Sequence, residues 1–350
     1  MLKNALTTAL CLACQNRVAP GFACAVLTPE YDIQLFHGRH TYHPLSASIA
    51  ANSLWDIASL TKVIGTLYCY QGLAETGVIN LETRLGDLLN CDRFPDKSAL
   101  LLTDLLAHRA GFSGAIDYFK TKTSKEAIED AVLRTFLKGP AGGVRTYDDA
   151  SYILLGQALE QLFEKDLASI FKEHVFTSLG MKDTQFNPVV EDRKMAVPTE
   201  WVQSLSTVAQ GIVHDENTRI LGGVAGHAGL FSTLPDLRLF CQAYMDHSSS
   251  KHALDFRTHH YKDSTGTYTL GWDVFNPRTM PVSASEGWLS HTGFTGTMLS
   301  VSPTCRAAVI LLSNRVYPQR TKNNEINALR REVLDLVIDS LTSTYPSPHV

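Results

Sequence analysis

The chain has 350 residues, of which 44% are hydrophobic, 19% charged and 9% aromatic. This is an average globular composition, sufficient for two lobes or one large domain, and it excludes disordered, collagen-like and coiled-coil classes. Lysine plus arginine at 31 against aspartate plus glutamate at 35 leaves a net charge of −4. With no basic run longer than Arg330-Arg331, nucleic acid is not an expected partner.

At the N-terminus, Leu2, Leu6, Ala9, Leu10 and Ala13 follow three-and-four spacing and predict an amphipathic helix that ends before Pro20-Gly21. Lys3 and the run from Ala9 to Cys14 imitate a signal peptide, with Cys14 as a lipid-bearing cysteine. The helix is the preferred reading, because cleavage would destroy it. Cys11 and Cys14 spell a CxxC inside this helix, with neither a preceding strand nor a second pair, so no redox or zinc role is expected. The seven cysteines are odd in number and thinly spread. They do not form a disulfide framework, which favours a cytoplasmic, reducing location. The longest wholly apolar runs, such as Ala307 to Leu312, fall short of the roughly 18 to 20 residues a transmembrane helix needs.

Phe22 to Thr28 and Tyr31 to His37, joined across Pro29-Glu30, predict a β-hairpin. Helical spacing then dominates: Leu60 to Ala74, Leu101 to Ala107, Glu126 to Leu137, Ser151 to Leu162, Leu167 to Leu179 and Leu234 to Met245. Strand patterns return at Thr267 to Phe275, Gly287 to His291, Thr297 to Val301 and Ala307 to Ser313, before a final helix from Glu325 to Leu341. Strands at both ends and helices between them imply one domain of two lobes. Residues 1–60 and 262–350 would build an α/β lobe and residues 61–261 a mainly helical one, with the active site in the cleft.

The common enzyme signatures G-x-S-x-G, G-x-x-x-x-G-K-[ST], H-E-x-x-H and G-x-G-x-x-G are absent. Gly222 to Gly229 is glycine-rich, but its spacing fits no nucleotide loop and reads as a tight backbone passage near the cleft. Ser59-Leu60-Thr61-Lys62 stands at a helix start, where residues three apart share a face and an ammonium can reach a hydroxyl. A serine becomes nucleophilic only beside a base, and a helix N-terminus offers N–H groups to a forming oxyanion. Taken alone, this tetrapeptide is also compatible with a solvated surface serine.

Two further segments accompany it: Tyr147-Asp148-Asp149 before an apolar helix, and His291-Thr292-Gly293-Phe294 at a strand edge. In this order, the three segments resemble the serine β-lactamase and penicillin-binding protein superfamily in its class C-like, esterase and D,D-peptidase branch. The resemblance extends through Thr103 to Phe112 and Gly222 to Thr233, from about residue 2 to residue 340. It implies an α/β (α+β) fold with an antiparallel sheet flanked by the terminal helices, plus an inserted all-helical lobe.

It also implies a cofactor-independent serine hydrolase, acting on a small-molecule ester, amide or peptide. Ser59 would be acylated, Lys62 would hold its proton network, and Tyr147 would be the general base, its phenolate favoured by the ammonium. The oxyanion hole would be the N–H groups of Ser59 and Phe294, with Asp149, His291, Thr292 and Gly293 supporting the substrate. Two positions depart from the common pattern. Asp149 stands where asparagine is frequent and, when ionised, cannot donate to a substrate carbonyl. His291 stands where lysine is frequent, so attraction for a substrate carboxylate should depend on pH near the ordinary histidine value. Both point away from efficient β-lactam hydrolysis. A D,D-carboxypeptidase or weak β-lactamase and a non-catalytic binding protein on the same fold stand as alternatives.

Other polar residues read as structure. His108, His214 and His227 are expected to serve packing or loop hydrogen bonds, Asp215-Glu216 loop structure, Tyr152 the core, and His259-His260 a solvated surface. No metal site is expected.

Overall fold

The computed structural model of the chain describes residues 1–246, 258–284, 287–320 and 324–344. Its centre is an eight-stranded antiparallel sheet in the order β2-β1-β13-β12-β11-β10-β9-β8. These strands are β1 (Gly21–Leu27), β2 (Asp32–Gly38), β8 (Tyr261–Asp263), β9 (Gly266–Tyr268), β10 (Asp273–Phe275), β11 (Leu289–Thr292), β12 (Met298–Ser302) and β13 (Ala307–Ser313). The two ends of the chain meet in its middle, where β1 pairs with β13 from Phe22 opposite Ser313 to Leu27 opposite Ala308.

Both strands are buried at every residue, which explains their unbroken apolar runs: successive side chains alternate between two covered faces. Phe22, Cys24 and Val26 join the helices Leu2–Gln15 and Asn324–Thr344 in one core, through Leu6, Leu10, Leu329 and Val333. Ala23, Ala25 and Leu27 enter a second core with Leu237, Phe240 and Tyr244 of the helix Leu234–Asp246. That second core continues through Leu60, Leu105, Leu154 and Phe171, so sheet and helical region share one apolar interior.

Some local expectations are corrected. The run Thr267 to Phe275 is not one strand: the chain reverses between β9 and β10, with Gly271 at φ +77°, a conformation glycine adopts without steric cost. The helix expected to reach Leu137 ends at Arg134, because Thr135 is extended and its hydroxyl bonds the Ala131 carbonyl. The helix predicted from Leu167 widens into a π-turn at Lys172–Thr177. Short pairings also appear: β3 (Trp55–Asp56) and β4 (Gln185–Phe186) flank β7 (Leu230–Ser232), and β5 (Trp201–Val202) pairs with β6 (Thr207–Val208). Among the described residues no helix is long and apolar enough to cross a membrane.

Candidate active site

Ser59 is carried into place by a strained turn. β3 delivers the chain to Ala58, which has φ +47°, a left-handed conformation costing an alanine about 1–2 kcal/mol. The buried Asp56 holds it there: Oδ1 accepts the Ala58 N–H at 2.9 Å and Oδ2 the His214 N–H at 2.7 Å. Ser59 then lies in the short helical turn Ala58–Leu60, and Lys62 opens a π-turn, Lys62–Leu67, that leads into the α-helix Tyr68–Glu75.

Lys62 is fully buried, and each of its three N–H donors has an acceptor: Ser59 Oγ at 3.2 Å, Asp149 Oδ1 at 2.8 Å and the His227 carbonyl at 3.1 Å. Burial alone would lower the lysine pKa, but the Asp149 carboxylate and the Tyr147 phenol hold it above the ordinary value. Burial would likewise raise Asp149, yet Lys62 and then His227 keep it below the usual carboxylate range. At rest the pair is therefore ammonium and carboxylate.

The neighbouring Asp148 explains why Asp149 is free to reach Lys62. It is Asp148 that caps the helix Ala150–Phe163, accepting the Ser151 N–H at 2.6 Å and its hydroxyl at 3.1 Å. Burial pushes the Asp148 carboxyl up to about 7, and it lies 3.3 Å from Nδ1 of buried His108.

Tyr147 has its ring centroid 5.0 Å from Lys62 Nζ and 4.3 Å from the His108 ring. The expectation of a phenolate is not supported. Burial raises the Tyr147 pKa, and the lowering effects of Lys62 and Ser59 do not overcome it. The residue is 42% exposed on the pocket wall, so that upward push is weaker than at fully buried Tyr152, but its direction leaves a neutral phenol at rest.

The opposite wall is the turn after β11. Thr295 donates its hydroxyl to the Asp56 carbonyl at 2.8 Å and Thr297 to the Ile57 carbonyl at 3.2 Å. The Phe294 turn is thereby pinned to the segment that carries Ser59. Gly293 is required by space, since a Cβ there would stand 2.6 Å from the Ile57 carbonyl oxygen. Among the described residues, neither the Ser59 nor the Phe294 N–H donates to a protein acceptor. Ser59, Tyr147 and His291 to Phe294 line one cavity of about 680 Å³, together with Arg145, Arg278, Arg315, Arg330 and Asn327.

His291 departs from the expected pH dependence. It is buried, and burial followed by the repulsion of Lys62 pushes its pKa down to about 3, so it is neutral near pH 7. His227 and Asp215 are also more than loop structure. Asp215 accepts the Thr218 N–H at 2.7 Å and lies 3.0 Å from His227 Nε2. Asp149, Asp215 and His227 bring their ligand atoms within 4.8 Å of one another, but the Lys62 ammonium already supplies the positive charge there: Asp149 is its counter-ion, and Asp215 is held by His227 behind it. His214 contacts Glu200 at 2.9 Å and stacks on Phe294, Tyr152 is buried with its hydroxyl on the Leu106 carbonyl, and His259 and His260 are exposed. The sequence reading did not find Asp56, Thr295, Thr297 or Arg330. No local motif marks them, because the contacts that tie them to the site, Asp56 to His214, Thr295 and Thr297 to the backbone of Asp56 and Ile57, and Arg330 to Gly293, span long stretches of chain.

The family profile described as Beta-lactamase matches residues 31–332. A protein of Salmonella enteritidis named "Putative D-alanyl-D-alanine carboxypeptidase" is 27% identical over 316 residues, covering 79% of this chain and 72% of its own. Its counterpart in Salmonella typhi has the same identity and coverage. Among solved structures, a class C β-lactamase from Rhodobacter sphaeroides superposes with a TM-score of 0.76 at 15% identity, over 97% of this chain and 99% of its own. A D-alanine carboxypeptidase from Burkholderia cenocepacia gives 0.73 at 17% identity, over 95% and 98%.

Proposed function

Given that this chain belongs to the β-lactamase family, we propose that it is a serine hydrolase that cleaves an ester or amide through an acyl-enzyme at Ser59. The observation that carries this reading is Ser59 Oγ at 3.2 Å from a buried lysine whose other two donors are taken by Asp149 and the His227 carbonyl.

The resting charges suggest the proton route. As Ser59 Oγ attacks the substrate carbonyl, its proton passes to Lys62 while Lys62 gives one to Asp149. The new C–O bond forms, and the carbonyl oxygen gains a negative charge facing the Ser59 and Phe294 N–H groups. Tyr147 protonates the leaving group as its bond breaks and becomes a phenolate. That phenolate then takes a proton from water, whose oxygen attacks the acyl carbon. Ser59 departs and recovers its proton from Lys62, which is recharged by Asp149. Every group ends as it began.

A D,D-carboxypeptidase is a narrower reading within this chemistry. The names of the Salmonella relatives support it, as does a cavity wall with four arginines against one acid, Asp273, which suits a substrate carboxylate. The seven unpaired cysteines favour a reducing, cytoplasmic setting, which supports the ester reading instead. Ser59→Ala should abolish p-nitrophenyl ester turnover and the mass increase on fluorophosphonate treatment, with circular dichroism unchanged. Full activity in that variant removes the mechanism. Release of D-alanine from a D-Ala-D-Ala peptide separates the carboxypeptidase from the esterase.

A further inference from the structure

Arg330, on the helix Asn324–Thr344, is 4% exposed. Nη2 donates to the Gly293 carbonyl at 2.8 Å and to the Thr297 carbonyl at 2.8 Å, and Nη1 donates to Asn327 Oδ1 at 2.7 Å. Among the described residues no carboxylate forms an ion pair with it, and its Nε has no partner. Burying a guanidinium without an anion is costly unless something is gained by the charge. Burial and the nearby Arg315 push its pKa down to about 9, which still leaves it charged at neutral pH.

The two carbonyls that it holds are the ends of the oxyanion turn, across which the Gly293 N–H also bonds the Thr297 carbonyl at 2.8 Å. The Gly293 carbonyl belongs to the same planar amide as the Phe294 N–H. In a trans peptide these two groups point in opposite directions. Fixing the carbonyl toward the helix therefore fixes the N–H toward the other side, and a cation on the carbonyl oxygen polarises the amide and strengthens its donor.

We propose that Arg330 is a positioning residue of the oxyanion hole, clamping the Gly293–Phe294 amide by its carbonyl so that the Phe294 N–H is oriented and polarised for the charge that develops on the substrate. This inference rests on the acyl-transfer reading at Ser59. It assigns a hydrolytic role to a helix residue at the edge of the cavity that acts through the Gly293–Phe294 amide.

The test compares Arg330→Met and Arg330→Lys with the wild type, using an activated ester, a boronic-acid transition-state analogue and thermal unfolding. Arg330→Met should lose about 100-fold in kcat, the scale of one oxyanion donor, with KM changed less than about threefold and boronate affinity lost in parallel. Arg330→Lys, a point charge that cannot bridge two carbonyls as a planar fork does, should fall between the two. In Arg330→Ala, added guanidinium chloride at millimolar concentration should restore part of kcat without moving the unfolding temperature. Unchanged kcat and boronate affinity in folded Arg330→Met or Arg330→Lys overturns the proposal, as does a kcat loss that tracks unfolding alone and resists guanidinium. If wild-type protein forms no Ser59 adduct with a fluorophosphonate, it is the acyl-transfer reading that has failed, and that result is read independently of the variants.

Discussion

Asp149 Oδ1 lies 2.8 Å from Lys62 Nζ, which puts a carboxylate where the resembling tyrosine motifs often carry an asparagine. An amide could orient the lysine but could not take its proton at neutral pH, whereas a carboxylate can do both.

Asp149→Asn is therefore expected to lower kcat for an ester by one to two orders of magnitude, because Lys62 loses both its counter-ion and its proton acceptor. The same amide gains a donor toward a substrate acylamino carbonyl, so acylation of Ser59 by a penicillin should become faster. Stopped-flow ester kinetics and intact-mass measurement of the penicilloyl adduct check both arms. An unchanged kcat would remove Asp149 from the proton route.

Asp215 acts on the same carboxylate from behind: its negative charge raises the Asp149 pKa, making proton uptake from Lys62 easier. Asp215→Asn keeps a side chain able to cap the helix Glu216–Ile220 but removes that charge. A fall in kcat of roughly threefold to tenfold is expected, corresponding to up to about one pKa unit. A loss of kcat accompanied by gross destabilisation would instead mark a structural role.

Because His291 has a folded pKa near 3 against about 6.5 when unfolded, it carries no charge between pH 6 and 8. KM for an anionic ester should then show no His291 titration in this window. Between pH 6.5 and 3 the unfolded chain binds the extra proton, so stability falls as pH falls, by about 1.4 kcal/mol per unit from this residue. Denaturant unfolding of His291→Asn at a series of pH values should show a shallower acid loss than the wild type. Equal slopes would show that the histidine titrates normally in the fold.

Gly293→Ala forces a Cβ against Thr297 Oγ1 and to within 2.6 Å of the Ile57 carbonyl oxygen. Since backbone on the Ser59 side cannot retreat cheaply, the Phe294 N–H should shift. Activity is expected to drop by about 100-fold or more, at a stability cost of about 1–3 kcal/mol. Wild-type activity in this variant would show that the turn has slack.

Much of the fold was legible because it is written in short-range periodicity. The burial of Leu2, Leu6, Ala9, Leu10 and Ala13 along the first helix follows from their spacing, and the strand Ala307–Ser313 has the bounds its apolar run suggests. Where local pattern competes with turn geometry, as between Tyr268 and Asp273, the sequence reading merged two strands into one. Ser59 and Lys62 were legible as a pair because one helical turn brings them together.

Sequence alone determined which chemical groups were available and which neighbours along one helix could meet. The tertiary structure decided their protonation and their partners, because a pKa depends on burial and on charges supplied by remote segments. Asp149, 87 positions from Lys62, makes the lysine a stable cation, and enclosure in the fold makes His291 a neutral ring. Arg330, 37 positions beyond Gly293, meets that amide only through the packing of the last helix on the sheet.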